Sequence, residues 1–360
     1  MRANLTTQAL PSPYPLPKGE GKDFNTRFAM QHQGILYLSN QDVKKVLDLG
    51  RAIEITEQAL RDHSEGRVIW STPEDLAIKP EQGWQSWVTG CALATQPVAG
   101  FRIRSIKAAG GSRDPSRPPR GPRRILILSD REGGEISAIM DEDWCHAVRT
   151  AAAATVACRL LASKGATTMA MLGAGDTARA AVPVMAKAFP LKEIRVTSRT
   201  PESRQTYAEE IATEYGLNVR PVDSTEEALK GADLVVSATT TSTPFVKNSW
   251  LGAGITVYSI GKHQEMESDF YKEADKFVVD SWEHCKNKSD LQRMLKEKFL
   301  SERNLYAELP EILAGKKPAR QSDRERIFIR AIGLVNQDIA MADHIYRAAL
   351  EKGIGTRLPY

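Results

Sequence analysis

Hydrophobic and polar positions change rhythm along this chain. Short apolar or alternating runs at 34–39, 87–89, 98–106, 125–128 and 135–140 predict strands, the last two joined by a turn at Glu132-Gly133-Gly134. Ser39 is placed to cap a helix beginning near Gln41, and residues 48–63 continue as an amphipathic helix with Ala52, Ile53, Ile55, Ala59 and Leu60 spaced along one face. This region reads as mixed α+β. Residues 141–163, rich in alanine, predict a long helix. After it, strands at 167–172, 193–197, 217–222, 233–238, 255–260 and 276–280 alternate with helices, one of them at 225–230 behind a Ser224 cap. Pro221 puts the strand at 217–222 near a sheet edge, because proline cannot donate to a ladder. A last helix at 332–352 is expected to return to the first region. Such alternation specifies an α/β fold with a doubly wound sheet.

The strand at 167–172 breaks into Gly173-Ala174-Gly175-Asp176-Thr177-Ala178 and then a helix. At a strand-to-helix junction this is a dinucleotide fingerprint. Gly173 permits the sharp turn, Gly175 lets backbone approach a pyrophosphate, and Ala178 lets helix and strand pack closely. The amides around Asp176 and Thr177 then face the phosphates at the positive end of the helix. The next strand ends in Ser198-Arg199-Thr200, with Arg204 one turn on. An NAD site usually holds the ribose 2′-hydroxyl with an acid at this place. Here the nearest, Glu202, lies beyond Pro201. Two guanidiniums and two hydroxyls suit a 2′-phosphate, so the expected cofactor is NADP(H), bound to a Rossmann domain.

The 360 residues are 41% hydrophobic and 26% charged, an ordinary globular balance with chain enough for two domains. A net charge of +4, without interleaved aromatic residues, argues against a nucleic-acid partner. No apolar run reaches membrane-spanning length. Cys91, Cys145, Cys158 and Cys285 lack paired metal-ligand spacing, so no metal is expected, and scattered thiols fit a reducing cytoplasm. Residues 1–33, rich in Pro and Gly without a signal-peptide core, are expected to form a disordered extension, with Met30 as a candidate start. Arg113, Arg117, Arg120, Arg123 and Arg124, set among Pro and Gly, read as an exposed loop.

Several segments, in this order, resemble the ornithine cyclodeaminase/mu-crystallin family over nearly all of 34–360. They are Ala147-Val148-Arg149-Thr150-Ala151-Ala152, the Gly173 motif, Gly231-Ala232-Asp233 with 239–244, then 307–315, Pro318 and 333–338. Residues 280–285 and the tail 353–360 look most like the branch that releases 2,3-diaminopropionate from N-(2-amino-2-carboxyethyl)-L-glutamate. The resemblance implies a Rossmann NADP-binding domain at 149–325 and a discontinuous α+β substrate and dimerisation domain made of 34–148 with 326–360. It implies a pocket between them, a homodimer, and hydride transfer between the nicotinamide and the α-carbon of a small amino or imino acid. Cofactor contacts are also implied at Thr150, Ala238, Thr239 and Gly261.

In that family three basic side chains clamp the substrate carboxylate. Arg149 matches one of them. Arg102 stands where lysine is usual, and an arginine can clamp a carboxylate but does not readily give up a proton. Near the place of the remaining base stand the acids Glu74 and Asp75, which suit either an amine-bearing substrate or a solvated loop. The aspartate that follows Gly261 in ornithine cyclodeaminases is missing, and His263 is the candidate proton exchanger instead. These features point to an imine reductase or amino acid dehydrogenase. An ornithine-type cyclodeaminase, an N-carboxyalkyl amino acid dehydrogenase and a non-enzymatic NADPH-binding protein are the alternatives.

Overall fold

The computed structural model describes residues 34–81, 83–107, 123–241, 243–261 and 263–359. The expected extension at 1–33, most of the arginine-rich loop, and Lys262 lie outside the described residues. Ser39 acts as the sequence implies: its Oγ accepts the Asp42 amide at 3.3 Å while Asp42 accepts the Ser39 amide at 3.1 Å. This capping box starts the helix Asn40–Val46. Asp48 caps the next helix, Leu49–Ser64, by accepting the Arg51 amide at 2.7 Å. That helix buries Ala52, Ile53, Ala59 and Leu60, with Ile55 at the margin.

The first sheet contains β1 (Ile35–Leu38), β2 (Val68–Ile78), β3 (Trp84–Leu93), β4 (Val98–Lys107), β5 (Arg123–Asp130) and β6 (Ile136–Asp141). Their order is β1-β6-β5-β4-β3-β2, with the C-terminal strand Thr356–Leu358 outside β1. Alternation gives the sheet two unlike faces. Asp75, Thr89, Arg102 and Leu126 align across neighbouring strands on one face, and Trp87, Arg104 and Arg124 form the next row. The helix Val335–Lys352 packs on this inner face, its Ile339 so close to Gly100 that a Cβ there would stand 2.7 Å from the isoleucine Cδ1. The outer face carries Phe101, Ile127, Ile139 and Tyr37 in one row and Leu76, Val88, Ile103 and Ile125 in another.

The second sheet is wholly parallel. It comprises β7 (Thr168–Leu172), β8 (Glu193–Thr197), β9 (Val219–Pro221), β10 (Leu234–Ser237), β11 (Thr256–Ile260), β12 (Lys276–Val279), β13 (Ala307–Glu308) and β14 (Ile327–Ala331). The order β13-β12-β14-β11-β10-β7-β8-β9 reverses direction between β7 and β10, as in a Rossmann fold, and that switch point opens a crevice at the carboxyl ends. Pro221 lies on an edge strand, as expected. The alanine-rich helix Asp143–Leu161 is buried on nearly every side between the two sheets' helices.

Two expectations are corrected. The boundary at 325/326 moves to beyond Ala331, because β14 pairs between β11 and β12 inside the second sheet. The last helix starts at Val335 instead of 332, after Gly333 turns with a φ of +82°. The four cysteines are buried and free. Among the described residues no helix is long and apolar enough to cross a membrane.

Candidate active site

Gly173 leaves β7 with a φ of +110°, and a Cβ there would stand 2.6 Å from the Ala238 carbonyl oxygen at the end of β10. Only glycine tolerates that turn. Gly175 then caps the helix Asp176–Ala186, and a Cβ on it would meet nothing within 4 Å. Ala178 is fully buried, as close helix packing requires. Gly261 ends β11 with a φ of +106° and equally open surroundings. Thr150 is buried, and its Oγ1 has no partner among the described residues. A locked turn, an open cap and free helix amides at a sheet switch point fit a dinucleotide, which Gly173, Gly175, Asp176, Thr177 and Gly261 would hold.

The remaining cofactor candidates divide. Arg199 and Thr200 are exposed at the end of β8, and Ser198 lies beside them, half-buried. Arg204 departs from expectation. It is buried, its Nη2 lies 2.5 Å from Asp223 Oδ1, and its Nη1 donates to the Ser198 carbonyl at 3.3 Å. One guanidinium of the expected two is already engaged. Ala238 donates its amide to Leu172 at 2.9 Å. Thr239 donates its amide and hydroxyl to Glu265 Oε1 at 2.9 and 2.5 Å, and Ser259 donates to Oε2 at 2.7 Å. Glu265, missed in the sequence, thus fastens the ends of β10 and β11.

Arg102 and Arg149 do meet, through three partners, Glu142, His146 and Asp338. Arg102, on β4, sets its Nε 2.6 Å from Glu142 Oε1, just after β6. Arg149, on the helix Asp143–Leu161, donates its Nε to Asp338 Oδ1 at 2.6 Å, in the first turn of the last helix. His146, one turn before Arg149, accepts both guanidiniums at Nδ1, at 3.0 Å from Arg102 and 2.8 Å from Arg149. Burial, then Arg149 and Arg102, hold His146 well below its ordinary pKa, so it is neutral and free to accept. Burial pushes Asp338 up, but Arg149 and Arg102 outweigh this and hold its carboxyl well below the usual range. Glu142 goes the other way: burial raises it, against the pull of Arg102. Gly333 makes room here, since a Cβ on it would stand 2.3 Å from Arg149 Nη1.

A cleft of about 320 Å³ lies against this cluster. Arg102, 14% exposed, lines it, whereas Arg149, 2% exposed, sits one layer behind. Glu74 and Asp75 line it from β2, which is a strand instead of the alternative loop. Opposite stands the helix Trp282–Lys288, which follows β12. Its Lys288 Nζ lies 2.6 Å from Asp75 and 3.1 Å from Glu74, and His284 Nε2 also bonds Glu74. Both acids are therefore tied across the cleft to the second sheet. Arg104 and Trp87 complete the β4 and β3 side, and Ile332 and Gly333 form the floor.

A model of the ornithine cyclodeaminase/mu-crystallin family matches residues 35–353. The chain belongs to this family. Delta(1)-pyrroline-2-carboxylate reductase of Bacillus cereus is 27% identical over 334 residues, 91% of this chain and 100% of that one. N-((2S)-2-amino-2-carboxyethyl)-L-glutamate dehydrogenase of Staphylococcus aureus is 26% identical over 335 residues, 90% and 98% of the two chains. The structure of Thermococcus litoralis Delta(1)-pyrroline-2-carboxylate reductase with NADH and L-proline matches with a TM-score of 0.83 at 28% identity, covering 90% of this chain and 100% of the other.

In this member of the ornithine cyclodeaminase/mu-crystallin family, His263 is not brought to Arg102 and Arg149. It is exposed, its carbonyl accepts from Arg330 at 2.8 Å, and it lines an adjacent depression with Asp290 and Arg293. Glu142, His146 and Asp338 place ligand-type atoms within 4.8 Å of one another. A cation there would face the two guanidiniums that already occupy His146 and Asp338, so the cluster reads as an ion-pair network.

Proposed function

We propose that the chain is a nicotinamide-nucleotide-dependent oxidoreductase that interconverts a small α-imino acid and the corresponding amine, with NADP(H) as its preferred cofactor. One observation carries this reading. The cleft floor at Ile332 and Gly333 follows directly on β14, and Gly261, at the end of neighbouring β11, donates its amide to Ala331 at 3.1 Å. The cleft lined by Arg102 thus adjoins the carboxyl edge where a dinucleotide would lie. A bound nicotinamide supplies or accepts the hydride at the α-carbon. Arg102 meets the α-carboxylate with the N–H donors that its partners leave toward the cleft, and Arg149 behind it keeps Asp338 in place. Fixing substrate beside cofactor removes much of the entropic barrier. An imine that enters protonated needs no acid from the protein, in keeping with arginine at position 102. Exposed Arg199, with Ser198 and Thr200, supports the phosphorylated cofactor. Relatives that are a pyrroline-carboxylate reductase and an N-substituted glutamate dehydrogenase support chemistry of this class.

The test follows NADPH absorbance while cyclic ketimines, or 2-oxo acids with amines, are supplied. Steady consumption is expected. NADPH binding without turnover on any imino acid would overturn the enzyme reading. Ammonia release with no net change in cofactor would mark a cyclodeaminase instead.

A further inference from the structure

We propose that the cleft holds a second anion subsite, built on Arg104, and that the preferred substrate bears a second carboxylate besides the one on Arg102. The inference rests on the oxidoreductase reading of this cleft and names its substrate class. Arg102 and Arg104 are two residues apart on β4 and point to the same face, so their backbones are separated by roughly 7 Å. Both line the cleft. Their surroundings differ. Arg102 is matched by the Asp338 carboxylate, with the Glu142 carboxyl group also at its Nε. Arg104 has no ion-pair partner among the described carboxylates. Its strand neighbours across the sheet are Trp87 and Arg124.

The acids that could have neutralised Arg104 are committed elsewhere. Glu74 and Asp75 face Lys288 and His284 across the cleft, and Asp75 also accepts from Thr89 at 2.9 Å. Burial and then the nearby Arg102 and Arg124 depress the pKa of Arg104, against a weaker opposing pull from Glu142 and Asp75, neither of which pairs with it. The guanidinium lies over the Trp87 ring at 5.0 Å, and Lys79 approaches the same ring at 6.0 Å. Stacking uses the face of the guanidinium and leaves its in-plane N–H donors for a carboxylate. Two forks on one strand face, one behind which acids already stand and one without them, suit a dicarboxylic imino or amino acid with a short spacer. The acids do not recruit an amine here, because Lys288 and His284 occupy them.

Two measurements test this. The first compares imines made from methylamine with pyruvate or with 2-oxoglutarate, under NADPH. The dicarboxylic imine should give a kcat/KM on the order of 10- to 100-fold higher, the range expected of a charged hydrogen-bonded pair. Arg104→Gln should cut that ratio severalfold or more, and Arg104→Lys, which keeps the charge and loses the fork, should fall between. The second is calorimetric titration of the wild-type chain with glutarate and with butyrate, which needs no turnover. Glutarate should bind tighter, and Arg104→Gln should erase the difference. Turnover without preference for the dicarboxylic imine, or equal binding of the two acids, overturns the subsite and leaves the oxidoreductase reading standing. Selective glutarate binding without turnover on any imine does the reverse.

Discussion

Glu142 is the group in the arginine cluster whose charge is easiest to remove. Burial raises its carboxyl from the ordinary 4.5 to about 8, with Arg102 pulling against the shift and Asp338 adding to it. Between those values the folded chain holds a proton that the unfolded chain has lost. Stability therefore falls as pH rises through this window. Glu142→Gln imitates the protonated acid and should flatten the dependence of Tm on pH between about 5 and 8; identical slopes in both proteins would refute it. At the other end of the site Arg199 makes a separate prediction. Arg199→Asp should weaken NADPH binding about 10-fold or more and NADH far less, because only NADPH brings the 2′-phosphate that a guanidinium would grip. Calorimetry giving equal losses for both cofactors would take Arg199 out of the site. Arg204 is the weaker target, already paired with Asp223.

The turn after β7 separates shape from recognition. Gly173→Ala forces a left-handed backbone on alanine and drives a Cβ against the Ala238 carbonyl, so it should cost about 2 kcal/mol or more in denaturant unfolding. Gly175→Ala meets open space and should leave stability within about 0.5 kcal/mol while weakening cofactor binding. Equal stability losses in the two variants would contradict the turn geometry. This element was readable from sequence because all its constraints are local: a strand, two glycines and a helix start. β14 was not. Its Ile327–Ala331 run contains Arg330, a charge that can be buried there only because Ser259 and Asp290, distant in sequence, receive it. β2 hid for a different reason. Its Ser71-Thr72-Pro73-Glu74-Asp75 stretch has loop composition, and its pairing shifts register between Trp70 and Asp75. The roles of His146, Glu142 and Asp338 escaped as well, since Glu142 and His146 meet Arg102 from 40 and 44 positions away and Asp338 meets Arg149 from 189. Arg204 was misread because its carboxylate partner lies on the far side of β9.

At the scale of the whole molecule, the outer face of the first sheet is unlike an ordinary surface. Leu76, Phe101, Ile125 and Tyr37 are 37–56% exposed and share that face with Ile127 and Ile139. A second copy of the chain would cover these rows, which supports a homodimer. Phe101→Glu should then halve the mass seen by light scattering, and an unchanged mass would move the interface elsewhere. The helix Trp282–Lys288 and the charged wall of β2–β4 belong to different sheets, while the turns proposed to hold the cofactor lie within residues 150–261. On the proposed reading, reduction and discrimination would be written largely in separate stretches of sequence. A lineage could then retarget what is reduced by exchanging side chains on three antiparallel strands and the helix facing them, and leave the nucleotide turns alone.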